Sequence, residues 1–273
     1  MEQAVAKRPG IFELVTGTWR STAGALVVLL PLLAVVAAAL FGLNYLFPSL
    51  EQKLRVIRPA SDSIFVLMVV PGAWIFGLEK LALGLVAAPA ALATQRRILV
   101  DDGPHLAPGP LLRFWLWAAA ALIWSLGALY LSGLAATPDL QLVSLVLKWG
   151  FALLLPFLLL PIFPAVAAGE PATSLVSRID KGLERWDGNF WRFGIVLLFT
   201  VGPALLLQRV PAAIVQRAPG AASDAGQTFD ASLIGTAIHA ALTVVVVVVG
   251  AAALSWCYRF SNLPRPKTKP LGT

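Results

Sequence analysis

Carboxylates and imidazoles are the side chains from which a metal or acid–base site would be built, and this chain of 273 residues holds 14 Asp and Glu and 2 His. Asp101, Asp102 and His105 stand together in DDGPH, where two carboxylates and an imidazole would suit a cation. The same residues make an ordinary turn, because Asp, Gly and Pro each favour one. The sequence also contains no second ligand cluster to complete such a site. No metal is expected. Phosphate loops, dinucleotide glycine fingerprints and nucleophile elbows are absent from the sequence, so no cofactor is expected and the chain does not read as an enzyme. Cys257, the single cysteine, has no intrachain disulfide partner.

The other chemistry-bearing residues lie inside apolar runs, where an ionisable group points to function by default. They are Glu79, Lys80, Lys148, Arg209 and His239. Glu79 precedes Arg96 by 17 positions, Arg209 follows Arg192 by 17 and His239 precedes Tyr258 by 19, each about 25 to 28 Å of helix. Lys148 stands beside Trp149. All are therefore expected near one membrane boundary. They mark that interface with snorkelling side chains, or they form a polar ring that contacts a lipid headgroup or an ion. A proton relay would need polar groups at successive depths, which the remaining two thirds of these runs hardly offer.

The elements that would position these residues follow from composition. Hydrophobic residues make up 58% of the chain and charged ones 13%, with a mean hydropathy of +0.81; a soluble domain carries about 25% charged residues. About 20 apolar residues cross a bilayer as a helix, and six segments qualify: 23–47, 76–95, 114–135, 142–165, 193–213 and 232–256. The expected fold is all-α, one polytopic domain of six transmembrane helices. Residues 23–47 are too long for a signal-peptide core and read as a retained first helix. Of the 21 Lys and Arg, fourteen fall on the face that carries both termini, which predicts cytoplasmic termini. The interfacial anchors on that face are Trp19, Arg20, Arg113, Trp115, Trp186, Trp191 and Arg192. Trp124 alone falls clearly within a span. The basic residues flank apolar spans and form no aromatic-interleaved stripe, so nucleic acid is not an expected partner; the bilayer is, and other membrane proteins are candidates.

Between Ser174 and Trp186, Leu175, Val176, Ile179, Leu183 and Trp186 recur at helical spacing among charged residues. That pattern predicts an amphipathic helix lying in the plane of the cytoplasmic surface. Asp187, Gly188 and Asn189 supply the turn into the fifth span. A similar in-plane segment is expected over 1–22, where Ile11, Leu14, Val15 and Trp19 line one face, and HLAPGPLLRFWLW gives a shorter version before the third span. These three entrances suggest three helix-pair repeats. Residues 63–78, broken by Pro71 and Gly72, read as re-entrant, in-plane or part of the second helix. The fourth span carries Pro156, Pro161 and Pro164, which kink it or make it a discontinuous helix of the kind transporters use. The tail from 258 to 273 is basic and suited to an anionic inner surface.

The segment LPIFPAVAAGEPATSLVSRIDKGLERWDGNFWRFGIVLLF and the ending LSWCYRFSNLPR resemble bacterial inner-membrane proteins of the YciC-like type. These are related to the membrane domain that precedes some glycerophosphodiester phosphodiesterases. The resemblance implies a six-helix membrane domain with in-plane helices in the bacterial inner membrane, and nothing catalytic, since phosphodiester hydrolysis belongs to a separate soluble domain. The expected role is therefore structural or accessory, organising lipid or partner membrane proteins. A transporter or lipid-handling protein using the kinked fourth helix and the outer polar ring is the alternative. Polar residues meeting at mid-bilayer would favour the alternative, and a solid core of Leu, Val and Ala the accessory role.

Overall fold

A proline decides where the first helix stops. Pro31 has no N–H, so the Val27 carbonyl loses the donor that continues an α-helix. In the computed structural model, which describes residues 10–53, 74–100, 108–134, 138–154, 160–170, 190–217 and 225–261, the helix breaks there. α1 (Ile11–Val28) ends, Leu29 takes φ −90° and ψ 7°, and α2 (Leu30–Lys53) begins with the proline in its first turn, where it is tolerated. α1 itself starts at Gly10, whose N–H donates to Glu13 Oε2 at 2.9 Å. No proline follows until Pro31, so α1 runs without a bend from Ile11 into the first predicted span. The expected bend near residue 22 is absent, and Leu14, assigned above to a lipid-facing stripe, is buried in protein.

Every described element is helical. After α2 come α3 (Trp74–Leu99), α4 (Pro108–Leu134), a 3-10 turn (Pro138–Leu140), α5 (Gln141–Leu145), a π-helix (Val146–Leu154), α6 (Ile162–Ala167), α7 (Phe190–Arg217) and α8 (Ala225–Ser261). Among the described residues four helices are long and apolar enough to cross a membrane, through Leu30–Phe47, Pro108–Ala128, Trp191–Gln208 and Leu233–Ser261. Two of the six predicted spans are not among them. α3 covers the second, with 26 residues, but Glu79 and Lys80 near its start and Gln95, Arg96 and Arg97 near its end close in on its apolar stretch. The fourth predicted span, 142–165, takes in most of α5, the π-helix and the first residues of α6, with residues 155–159 outside the described residues.

α8 is the axis of the bundle. It has 37 residues, roughly 55 Å of helix, and packs against α1, α2, α3, α6 and α7. α1 and α2 run along it in succession and in the opposite direction. Leu14 of α1 therefore clusters with Cys257 and Phe260 near the end of α8, while Leu33, Val36 and Leu40 of α2 share a core with Ala240, Val244 and Val248. Ala90 and Ala93 of α3 complete that core. Between apolar helices in lipid, close packing replaces hydrophobic transfer as the cohesive force, which favours small residues at the contacts. Gly17 and Gly84 are the tightest cases: a Cβ added at Gly17 would lie 2.9 Å from the Trp256 ring, and one at Gly84 would lie 2.5 Å from a methyl of Leu122. The predicted in-plane helix 174–186 with Trp186, residues 63–73, the DDGPH turn and residues 262–273 lie outside the described residues.

Candidate functional site

The five ionisable residues expected within apolar runs are the first candidates. Glu79 is 6% exposed and lies one turn before Leu83, a residue packed on the α2–α3–α8 core. Lys80 points about 100° away along the helix, with its side chain 59% exposed and its Nζ 3.7 Å from Glu79 Oε1. Lys148 on the π-helix and His239 on α8 are exposed, and the Arg209 side chain lies outside the described residues. The structure thus joins Glu79 with Lys80. One other polar contact crosses between helices here: Gln208 Nε2 of α7 donates to Thr243 Oγ1 of α8 at 2.6 Å, and that hydroxyl donates to the His239 carbonyl at 2.8 Å.

Three tryptophans have roles that their sequence positions concealed. Pro89 inside α3 leaves the Leu85 carbonyl without its helical donor, and Trp115 Nε1 of α4 donates to that oxygen at 2.9 Å. Trp124, the tryptophan expected within a span, donates to the Phe151 carbonyl of the π-helix at 3.1 Å. In π registry that carbonyl would look to residue 156 for a donor, and residue 156 is proline. Nine positions along a helix amount to about two and a half turns, so Trp115 and Trp124 leave α4 on opposite sides, one toward each neighbour. Trp256 of α8 donates to Ser21 Oγ at 3.0 Å while its ring lies on Gly17. An indole N–H held between helices away from water needs a protein acceptor. These three fasten helices together.

One end of the bundle gathers the remaining polar groups. The start of α1, the start of α7 and the end of α8 meet in the cluster of Leu14, Phe193, Val196, Cys257 and Phe260. Beside it the end of α3, the start of α4 and α6 meet through Leu92, Phe114, Ile162 and Val166, with the Phe114 and Phe163 rings 5.1 Å apart. α6 ends in a Schellman turn: Gly169 takes φ 76°, its N–H donates to the Val166 carbonyl and the Glu170 N–H to the Ala165 carbonyl. A left-handed residue is needed at that point, and glycine adopts it without strain. The turn presents Glu170 to α8, where the Tyr258 hydroxyl donates to its Oε1. Arg20, Arg113, Arg192 and Arg259 are exposed around this end, and Arg192 Cζ lies 6.0 Å from the centre of the Phe260 ring. Trp19 and Trp191 are exposed too, the latter at 78%.

The chain matches no family model, no curated protein and no solved structure.

Four other buried hydroxyls are satisfied locally. Thr18, Thr94, Thr200 and Ser255 each donate to the carbonyl four residues earlier on their own helix, at 2.7 to 2.8 Å. Gln95, 1% exposed, keeps Oε1 without a hydrogen bond, as does Thr22 Oγ1. Sequence reasoning missed Glu170, Tyr258 and Gln95 as members of one polar end, although the first two sit in the segments that carry the family resemblance. The signal available was Gly169 directly after a short apolar helix, which predicts a C-terminal turn. It could not say where Glu170 would point.

Proposed function

We propose that this chain is a non-catalytic, multi-pass protein of the bacterial inner membrane, with both termini cytoplasmic, and that it organises lipid or partner membrane proteins in a structural or accessory role. The observation that carries the reading is the filling of the bundle. Leu29, Leu33, Val36, Leu40, Ala90, Ala93, Ala240, Val244 and Val248 form one contiguous buried core, and the buried hydroxyls of Thr18, Thr94, Thr200 and Ser255 bond to their own helices. A solid core of this kind suits a scaffold, and among the described residues it offers no polar path along the axis. α3 and the series from Pro138 to Ala167 would supply the two crossings beyond the four apolar ones. The arginine-bearing end supports a cytoplasmic orientation by the positive-inside rule, and the resemblance to YciC-like proteins supports the inner membrane.

Native mass spectrometry of the protein extracted gently from its own membrane tests the role. A stoichiometric partner protein or retained lipid is the expected result. A bound small solute with neither would overturn it. One observation favours lipid handling or transport as a second reading: the π-helix Val146–Leu154, since π-helical segments concentrate at functional sites.

A further inference from the structure

Resting on the membrane reading above, we infer that the arginine-bearing end of the bundle is a binding surface for anionic phospholipid headgroups, with the α7–α8 seam at Arg192, Arg259 and Phe260 as its most ordered part. Four exposed guanidinium groups come from four helices: Arg20 from α1, Arg113 from α4, Arg192 from α7 and Arg259 from α8. None forms an ion pair among the described residues. The two described carboxylates at this end are already engaged, Glu13 with the Gly10 N–H and Glu170 with the Tyr258 hydroxyl.

The opposite end differs in kind. Its charged side chains among the described ones are Glu79, Lys80, Asp139 and Lys148, which balance. A guanidinium offers a planar pair of donors that matches a phosphate in two-point contact, and it is less strongly hydrated than an ammonium. Order favours the seam in particular. Arg192 is held over Phe260, and Phe260 is itself buried and packed edge-on against Phe193 at 6.0 Å between centroids. Arg259 precedes Phe260 on the same helix, and Trp191 beside Arg192 is exposed at the depth where an indole sits among headgroups. Headgroup charge is what this surface can read: phosphatidylglycerol and cardiolipin present a net negative charge, and phosphatidylethanolamine does not.

The test reconstitutes the full chain into nanodiscs of equimolar phosphatidylglycerol and phosphatidylethanolamine, then counts the lipids retained by native mass spectrometry as the disc is stripped. The intact chain should retain phosphatidylglycerol preferentially. Each guanidinium near the surface contributes about a fivefold preference, so Arg192→Gln with Arg259→Gln should lower it about 25-fold. Arg192→Lys should lower it less than Arg192→Gln. An unchanged thermal transition shows that the variants remain folded; if they unfold, the wild-type preference in rising salt gives the same reading, falling if the surface is ionic. Equal retention of the two lipids by the intact chain, or a preference that survives the double substitution, overturns the inference alone. Failure of the chain to enter nanodiscs overturns the membrane reading together with it.

Discussion

Replacing Trp115 with Phe removes one N–H and leaves most of the ring's packing in place, which isolates the contact to the Leu85 carbonyl. That bond is 2.9 Å long, well within good hydrogen-bond geometry, and its acceptor lost its helical donor to Pro89. Interhelical hydrogen bonds within membranes contribute about 0.6 to 1.7 kcal/mol. Leaving a carbonyl unpaired away from water adds to this, so Trp115→Phe should destabilise the fold by about 1 to 2 kcal/mol. The diagnostic comparison is the same change made in a Pro89→Ala background. There the alanine N–H restores the helical bond, and loss of the indole should cost about 1 kcal/mol less. Reversible unfolding by sodium dodecyl sulfate in mixed micelles, followed by tryptophan-independent circular dichroism, gives the four stabilities of the cycle. If the two backgrounds agree within about 0.3 kcal/mol, the substitutions are independent and the reasoning about Pro89 is wrong.

Three other predictions use the same assay. Gly17→Ala should destabilise by about 1 to 3 kcal/mol, because the new methyl meets a Trp256 ring that Ser21 holds in place. Gly24→Ala, with open space around it, should be neutral or stabilising by up to about 1 kcal/mol through helix propensity; similar losses at both positions would refute the packing account. Gly169→Ala should cost about 1 to 2 kcal/mol from the left-handed backbone, and an unshifted midpoint would show that the turn after α6 is not required. Tyr258→Phe and Glu170→Ala should each destabilise by about 1 kcal/mol or more, with the double variant less affected than the sum, since both interrupt one contact; strict additivity would separate them.

What the sequence could convey depended on the range of the interaction. Apolar length and basic flanks are local, so α4, α7 and α8 begin and end within about a turn or two of the predicted spans. Arg113 stands in the second turn of α4, and Trp191 and Arg192 in the first turn of α7. The break at Leu29 was also within reach, because Pro31 is a local signal, but the reading counted apolar residues across it. Partner choice is not local. Nothing near Trp115 in the chain indicates that its N–H belongs to a carbonyl 30 positions earlier, so it looked like another interfacial anchor. Leu14 carries the same lesson: a helical stripe of apolar residues fits lipid and protein equally well, and only the arrival of α7 and α8 decides between them. The fourth predicted span misled because summed hydropathy is blind to helix type, and a π-helical stretch is as apolar as an α-helical one.

The position of α8 at the centre of the bundle has a consequence for biogenesis. It follows every other described helix in the chain, so during synthesis at about 5 to 20 residues per second α1, α2, α3 and α7 are inserted before the surface they pack on exists. For that interval, on the order of seconds, Ala25, Ala90 and Ala93 face lipid or one another instead of Ala240, Val244 and Val248. Small-residue faces left open in this way are suitable landing places for an insertase or a membrane chaperone. A ribosome stalled before residue 225 would leave a set of inserted helices with no common centre, a natural substrate for membrane proteases.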